Sequence, residues 1–184
     1  ETARKLYDDA QAMLDALIEG KWIRANGVFG LFPASQIEND AIEVYTDESR
    51  TEVLTVLNQL RQQGEHREGV PNRSLADFVA PKDTGLRDYV GAFAVTAGIG
   101  VTDKIQEFKK ELDDYSAILL ESLADRLAEA FAERMHERVR KEFWAHAPHE
   151  ALENEDLIKE KYEGIRPAPG YPACPDHTEK LRLW

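Results

Sequence analysis

The residues best suited to chemistry lie in one proline-rich segment, residues 166–180. Four of the chain's eight prolines fall between Pro167 and Pro175. Proline fixes φ and removes a backbone donor, so the pattern predicts a stiff, extended ribbon over residues 166–175. Arg166 at its start and Tyr171 in its middle are suited to a small ligand that carries a carboxylate and a flat ring.

Each of these residues also has a simpler interpretation. Arg166 could form a surface ion pair with Glu160 or Glu163, and Tyr171 could pack beneath the prolines. Cys174 is interpreted as a small buried residue, because no neighbour would activate its thiol.

The histidines offer little catalytic chemistry. Asp176 and His177 are adjacent, but no serine in a nucleophile context accompanies them. The spacing of His136, His146 and His149 suits a single tetrahedral metal ion poorly. The sequence therefore predicts no catalytic residue and no metal site.

The proline-rich segment reads Arg-Pro-Ala-Pro-Gly-Tyr-Pro-Ala-Cys-Pro-Asp-His-Thr-Glu-Lys. It resembles the signature of the S-adenosylmethionine-binding activation domain of cobalamin-dependent methionine synthase. Further blocks resemble that family in the same order, at residues 28–34, 60–63, 75–81, 89–95 and 123–133. The resemblance covers essentially the whole chain.

The resemblance implies a ligand site. It assigns S-adenosylmethionine binding to six residues, which are Arg166, Ala168, Gly170, Tyr171, Glu129 and Glu160. Ala168 would act through its backbone and Tyr171 through its aromatic ring. From the sequence alone, Glu129 is a charge on the polar side of a helix, and Glu160 is a helix-end residue.

The resemblance also implies a function, as the reactivation module of a methyltransferase that acts in methionine biosynthesis. Such a module binds S-adenosylmethionine for the reductive methylation of cob(II)alamin. Cobalamin would be bound by another module of the parent protein, zinc would occur only in another module, and flavodoxin or a similar flavoprotein would supply the electron. The chain alone is not expected to be active. The alternative is a non-catalytic protein-interaction domain of the same fold.

A basic strip lies on a predicted helix of this acidic chain, and consists of Arg134, Arg138, Arg140 and Lys141. Basic residues near the C-terminal end of a helix complement its dipole. Alternatively, the strip docks an acidic partner, as the flavodoxin implied by the resemblance would require.

The composition is that of one globular domain of ordinary size, residues 1–184, and both ends of the chain look truncated. The net charge of −12 argues against nucleic acid and anionic membranes as partners. Neither a signal peptide nor a long apolar run is evident, so cytoplasm is the expected location. The single cysteine excludes an internal disulfide.

The pattern of elements predicts an α+β fold, in which a mostly antiparallel twisted sheet is flanked by helices. A helix is predicted over residues 1–20 and a strand over 27–34, ended by Pro33. Strands are also predicted at 42–45, 75–79 and 89–96. Residues 51–57 could form a return strand or start a helix through 60–63; a strand followed by a helical turn is favoured.

The second half of the chain predicts one long helical region, from Asp103 to about Ala145, in which Asp103 and Gln106 could form a capping box. A single helix of that length would exceed a small domain, so we expect a break at 111–114 or a helix along the whole body. A short helix is expected over 155–162, followed by Gly164 and then the proline-rich segment.

Overall fold

The computed structural model describes residues 2–65 and 67–183, which form two compact units. Unit 1 comprises the chain up to Val28 together with Phe93–Phe143. Unit 2 comprises Phe29–Ala92 and the chain from Trp144 onward.

Four strands form the sheet: β1 (Arg24–Ile37), β2 (Ala41–Tyr45), β3 (Val53–Asn58) and β4 (Asp88–Ile99), in the order β3-β2-β1-β4. The β1–β2 and β2–β3 pairs are antiparallel. The α+β prediction is therefore confirmed, and the choice of a strand after Thr51 is correct.

Pro33 does not end β1, as the sequence predicted, but lies within it. The β1–β2 ladder runs from Ala34, opposite Val44, to Ile37, opposite Ala41. Because proline has no N–H to donate, the ladder stops beside it while β1 itself continues.

The largest buried cluster of unit 2 packs against this sheet. Seven buried side chains form it: Ala34, Ile42, Val44, Leu57, Ala76, Val79 and Val90. β2 supplies the middle of the cluster, and four of its five residues are buried. The cluster gives the loops of unit 2 a rigid support.

Two predictions for residues 60–79 are wrong. Residues 75–79 were expected to form a strand, but Leu75–Phe78 is a 3₁₀ turn because Ser74 and Asp77 form a capping box at its start. The expected helical turn at 60–63 is absent. Arg61 instead makes a bidentate contact with Asp77, at 2.7 Å for both bonds, which ties this segment to the 3₁₀ turn.

Unit 1 contains the three longer helices: α1 (Thr2–Gly20), α2 (Val101–Lys110) and α3 (Asp114–Arg138). A π-helical turn, Val139–Phe143, extends α3. The predicted break is confirmed, because Leu112 adopts φ +59° and Asp113 caps α3 through the N–H of Ser116.

The predicted capping box at Asp103 is wrong, because α2 begins two residues earlier, after Gly100. Gly100 adopts φ +99°, and an added Cβ would lie 2.8 Å from the carbonyl oxygen of Trp22. A glycine is needed here both for the backbone conformation and for this close approach.

The helices of unit 2 are short: α4 (Asn154–Ile158) and α5 (Lys180–Leu183). The 3₁₀ turn His177–Glu179 leads directly into α5. α4 ends four residues before the predicted position, because Glu160 takes a left-handed conformation with φ +52°. In the part of the chain that the structure describes, no helix is long and apolar enough to cross a membrane.

Candidate functional site

The signature loop (residues 166–175) follows α4 in unit 2. Gly164, with φ +89°, redirects the chain after the helix, and residues 165–168 have no regular secondary structure. Arg166 is half-buried, which constrains its guanidinium more than a free surface position would. Glu160, at the end of α4, is exposed. Its description as a helix-end residue is thus confirmed, whereas its part in a ligand site stays a prediction.

The predicted extended ribbon is wrong from Ala168 onward, because two hydrogen-bonded turns follow one another. The N–H of Tyr171 donates to the carbonyl of Ala168 at 3.0 Å, and the N–H of Cys174 donates to that of Tyr171 at 2.9 Å. Gly170 adopts φ +107° and donates to the Cys174 carbonyl at 2.8 Å. Three of the predicted site residues, Ala168, Gly170 and Tyr171, therefore belong to one ordered turn.

Tyr171 presents its side chain to solvent. The residue is 59% exposed, although its backbone N–H and carbonyl are both hydrogen-bonded. This exposure excludes the simpler interpretation of a tyrosine packed beneath the prolines. An exposed ring on a fixed backbone is suited to stacking against a flat ligand.

The second turn is attached to the core of unit 2. The N–H of Leu75 donates to the carbonyl of Ala173 at 3.0 Å, which links the signature loop to the 3₁₀ turn Leu75–Phe78. Cys174 is 5% exposed, and burial raises the pKa of its thiol, as do the carboxylates of Glu179 and Asp176. The thiol therefore stays protonated near neutral pH, so the interpretation of Cys174 as a buried small residue is confirmed.

Asp176 and His177 do not form a catalytic pair. Asp176 accepts hydrogen bonds from the N–H of Thr178 at 2.8 Å and from its hydroxyl at 2.7 Å. The hydroxyl bond lowers the pKa of Asp176, which remains an ionised cap of the turn His177–Glu179. The His177 ring lies against Gly170. Sequence reasoning missed this contact, although both residues stand in the signature segment.

Glu129 lies in unit 1, exposed on α3. In the same unit, the end of β4, α2 and α3 line an open cleft of about 290 Å³, whose polar lining comes from Thr96, Thr102, Glu121 and Asp125. Glu121, Asp125 and Glu129 are spaced four residues apart and share one face of α3. The assignment of Glu129 to the ligand site stays a prediction.

The basic strip is not a continuous cationic surface. Arg140 is fully buried, and its Nη1 lies 2.6 Å from Nδ1 of His136, so it cannot face a partner protein. Glu137 lies 2.6 Å from Arg134 and 3.4 Å from Lys141. The hydrogen bond from Arg134 lowers the pKa of Glu137, which keeps it ionised.

The remaining arginine of the strip is also paired. Arg138 lies 2.8 Å from Glu142 and stacks on the ring of Phe143, at 4.6 Å from the ring centroid. The inclusion of Arg140 in a docking strip is therefore wrong, and the other three members are largely neutralised by ion pairs. Alternating charges along the helix are the sequence signal that would have revealed this pairing.

Comparisons with known proteins agree with the signature. The family model of the activation domain of vitamin B12-dependent methionine synthase matches residues 1–184. A crystal structure of the MetH reactivation domain bound to AdoHcy is 55% identical in sequence, with a TM-score of 0.90. The match covers 100% of this chain and 56% of that one, so the chain spans little more than half of the solved protein.

Proposed function

Because the chain belongs to the family of vitamin B12-dependent methionine synthase activation domains, we propose that it binds S-adenosylmethionine for the reductive remethylation of cobalamin. The observation that carries this proposal is the 55% identity, over the whole chain, to a reactivation domain bound to AdoHcy. AdoHcy is the compound that remains when S-adenosylmethionine has given up its methyl group.

The residues of the signature loop suit this ligand chemically. The guanidinium of Arg166 matches the geometry of a carboxylate, and the exposed ring of Tyr171 offers a face to a flat purine. The second lone pair of the Ala168 carbonyl remains able to accept from a ligand donor. Gly170, with φ +107°, permits the turn that presents Ala168 and Tyr171. These four residues would hold the amino acid and adenosine parts.

Glu129 and Glu160 would supply negative charge. When bound, S-adenosylmethionine supplies a cationic sulfonium whose methyl group is transferred. Carboxylates favour a nearby cation and accept hydrogen bonds from amino groups. In this proposal the chain orients the ligand and no residue acts as a general acid or base.

The wider function involves partners outside this chain. The parent protein is proposed to be the methyltransferase, with cobalamin and zinc bound by other modules and with a flavodoxin-like protein as the electron donor. The chain alone would bind the ligand without turnover. A cytoplasmic location is consistent with this role.

Calorimetric titration with S-adenosylmethionine and with AdoHcy tests the proposal. We expect both to bind, and we expect Glu129→Gln and Glu160→Gln to weaken S-adenosylmethionine more than AdoHcy, because only the former carries the sulfonium charge. The same titrations on a form extended to the length of the solved reactivation domain provide a second measurement. If neither ligand bound to either form, ligand binding would be rejected in favour of an interaction domain of the same fold.

A further inference from the structure

The turn His177–Glu179, called here the anchor turn, joins the signature loop to the edge of the sheet. Asp176 caps its start through Thr178. At its end, Glu179 is only 3% exposed and accepts a hydrogen bond from the N–H of Asn58 on β3, at 3.0 Å. Arg182 donates to the carbonyl of Val56 on the same strand. The anchor turn is thus fixed to β3 by side chains that bond to its backbone.

The middle of this region is the contact between His177 and Gly170. An ideal Cβ on Gly170 would lie 2.3 Å from Cε1 and 2.5 Å from Nε2 of His177. The imidazole therefore occupies the space that any side chain at position 170 would fill. The ring packs against the backbone of the turn that carries Ala168 and Tyr171.

We propose that His177 is a positioning residue, which holds the turn Ala168–Tyr171 in its binding conformation without touching the ligand. The proposal rests on the proposed function of the signature loop. Gly170, with φ +107°, has a wide choice of backbone conformations, so a contact outside the turn adds to the hydrogen bond from its N–H in selecting one of them. The imidazole supplies that contact. The hydrogen bond from Asn58 of β3 to Glu179 holds the anchor turn, and with it the imidazole, in place.

The order of the loop can be measured without a ligand, because the only cysteine of the chain, Cys174, is buried in it. A maleimide reacts with this thiol only when the loop opens. We expect His177→Ala to accelerate labelling about five- to tenfold, as a local opening becomes easier. His177→Phe, which keeps a ring against Gly170, should label within about twofold of the wild type.

His149→Ala is the matched control, because it removes an exposed histidine from the same unit. It should leave the labelling rate unchanged. Far-UV circular dichroism and the thermal midpoint report global folding, and if His177→Ala did not fold, His177→Asn would serve in its place. Equal labelling of the folded variant and the wild type would overturn the proposal.

Ligand affinity completes the test. We expect His177→Ala to bind S-adenosylmethionine about five- to tenfold more weakly and His177→Phe to recover most of that loss. Weaker binding without rescue by phenylalanine would also reject a positioning role, since it would point to a direct contact by the imidazole nitrogens. If the wild type did not bind, the proposed function would fail, while the labelling result would still decide whether His177 orders the loop.

Discussion

In the signature loop, the hydrogen bonds that shape the chain come from the backbone, whereas the contacts in the basic strip come from side chains that neutralise one another. The turns at Ala168 and Tyr171 leave the Tyr171 ring exposed. In the strip, Glu137 forms ion pairs with Arg134 and Lys141, and Glu142 forms one with Arg138, so these positive charges are neutralised. A fixed backbone can therefore leave a side chain free for a ligand, whereas a row of charged residues does not by itself make a charged surface.

Arg140→Ala tests the strip most severely. Because Arg140 is fully buried beside His136, its removal should lower the free energy of unfolding by about 2–4 kcal/mol through lost packing and unpaired polar groups. Arg138→Ala, on the exposed side, should cost less than about 1 kcal/mol. Urea denaturation measures both. Similar small effects at the two positions would show that Arg140 belongs to the surface.

Arg166→Ala tests the loop. We expect S-adenosylmethionine to bind about 1.5–3 kcal/mol more weakly, the usual loss for a hydrogen bond to a charged group. Arg166→Lys should recover only part of this, since a point charge cannot reproduce the guanidinium fork. Calorimetry on the chain, and on a form extended to the length of the solved reactivation domain, measures the change. Arg87→Ala, at an exposed arginine of the same unit, is the control, and an unchanged affinity for Arg166→Ala would reject the assignment.

We expect acid to weaken the contacts of Asp77, which lies in the 3₁₀ turn that supports the signature loop. The hydrogen bond from Arg61 lowers the pKa of Asp77 below its ordinary value of 3.8. Its stabilising effect is therefore complete above that ordinary value and is lost as the pH falls through the lower pKa of the folded state. Asp77→Asn should cost about 1 kcal/mol at neutral pH, the typical contribution of a helix cap, and the difference should shrink as the pH falls below the ordinary pKa of Asp77 and through its lowered pKa in the folded state.

Denaturation of Asp77→Asn and of the wild type across this pH range checks the sign. A difference that did not shrink with falling pH would show that the ionised carboxylate contributes nothing. Asp83→Asn, on the exposed turn Lys82–Thr84, provides a control without the Arg61 contact.

The smallest effect is expected from the strip as a docking surface. Reversing Arg134 and Arg138 to glutamate should slow reduction of the parent enzyme by a flavodoxin-like donor about two- to fivefold at low salt, through weaker electrostatic steering. The difference should shrink at high salt, and ligand affinity should not change. The same charge change at Lys159 and Lys180, in unit 2, is the control. Equal slowing by both pairs would mean that only net charge matters.

Much of the fold was predictable because local pattern and tertiary contacts agree. Apolar runs of β-forming residues predicted all four strands, and the length of the helical region from Asp103 onward predicted a break at 111–114 as one of two alternatives. Two of the failures fall where a single long-range contact overrides the local pattern. Arg61 is held by Asp77 rather than by a helical turn, and Gly100 starts α2 because Trp22 approaches it closely.

The site was predictable mainly as a motif. The signature located Arg166 and Tyr171, but proline content suggested a straight ribbon where Gly170 produces turns. The contact of His177 with Gly170 depends on how the chain turns between these two residues, which their spacing in the sequence does not predict. Likewise, Arg140 has the same charge as its neighbours in the strip, so its residue type does not reveal that it is buried. In the structure it lies in the π-helical turn that begins at Val139, and it is fully buried.

The attachment of Glu179 and Arg182 to β3 also has a consequence for solubility. β3 is an outer strand of the sheet, and an uncovered strand edge invites pairing with another molecule. Glu179 accepts a hydrogen bond from the N–H of Asn58, and Arg182 donates one to the carbonyl of Val56. These are the backbone groups with which an approaching strand would pair. Two polar side chains next to the signature loop thereby protect this edge against intermolecular β-sheet formation, so their loss would favour aggregation even where the rest of the chain stays folded.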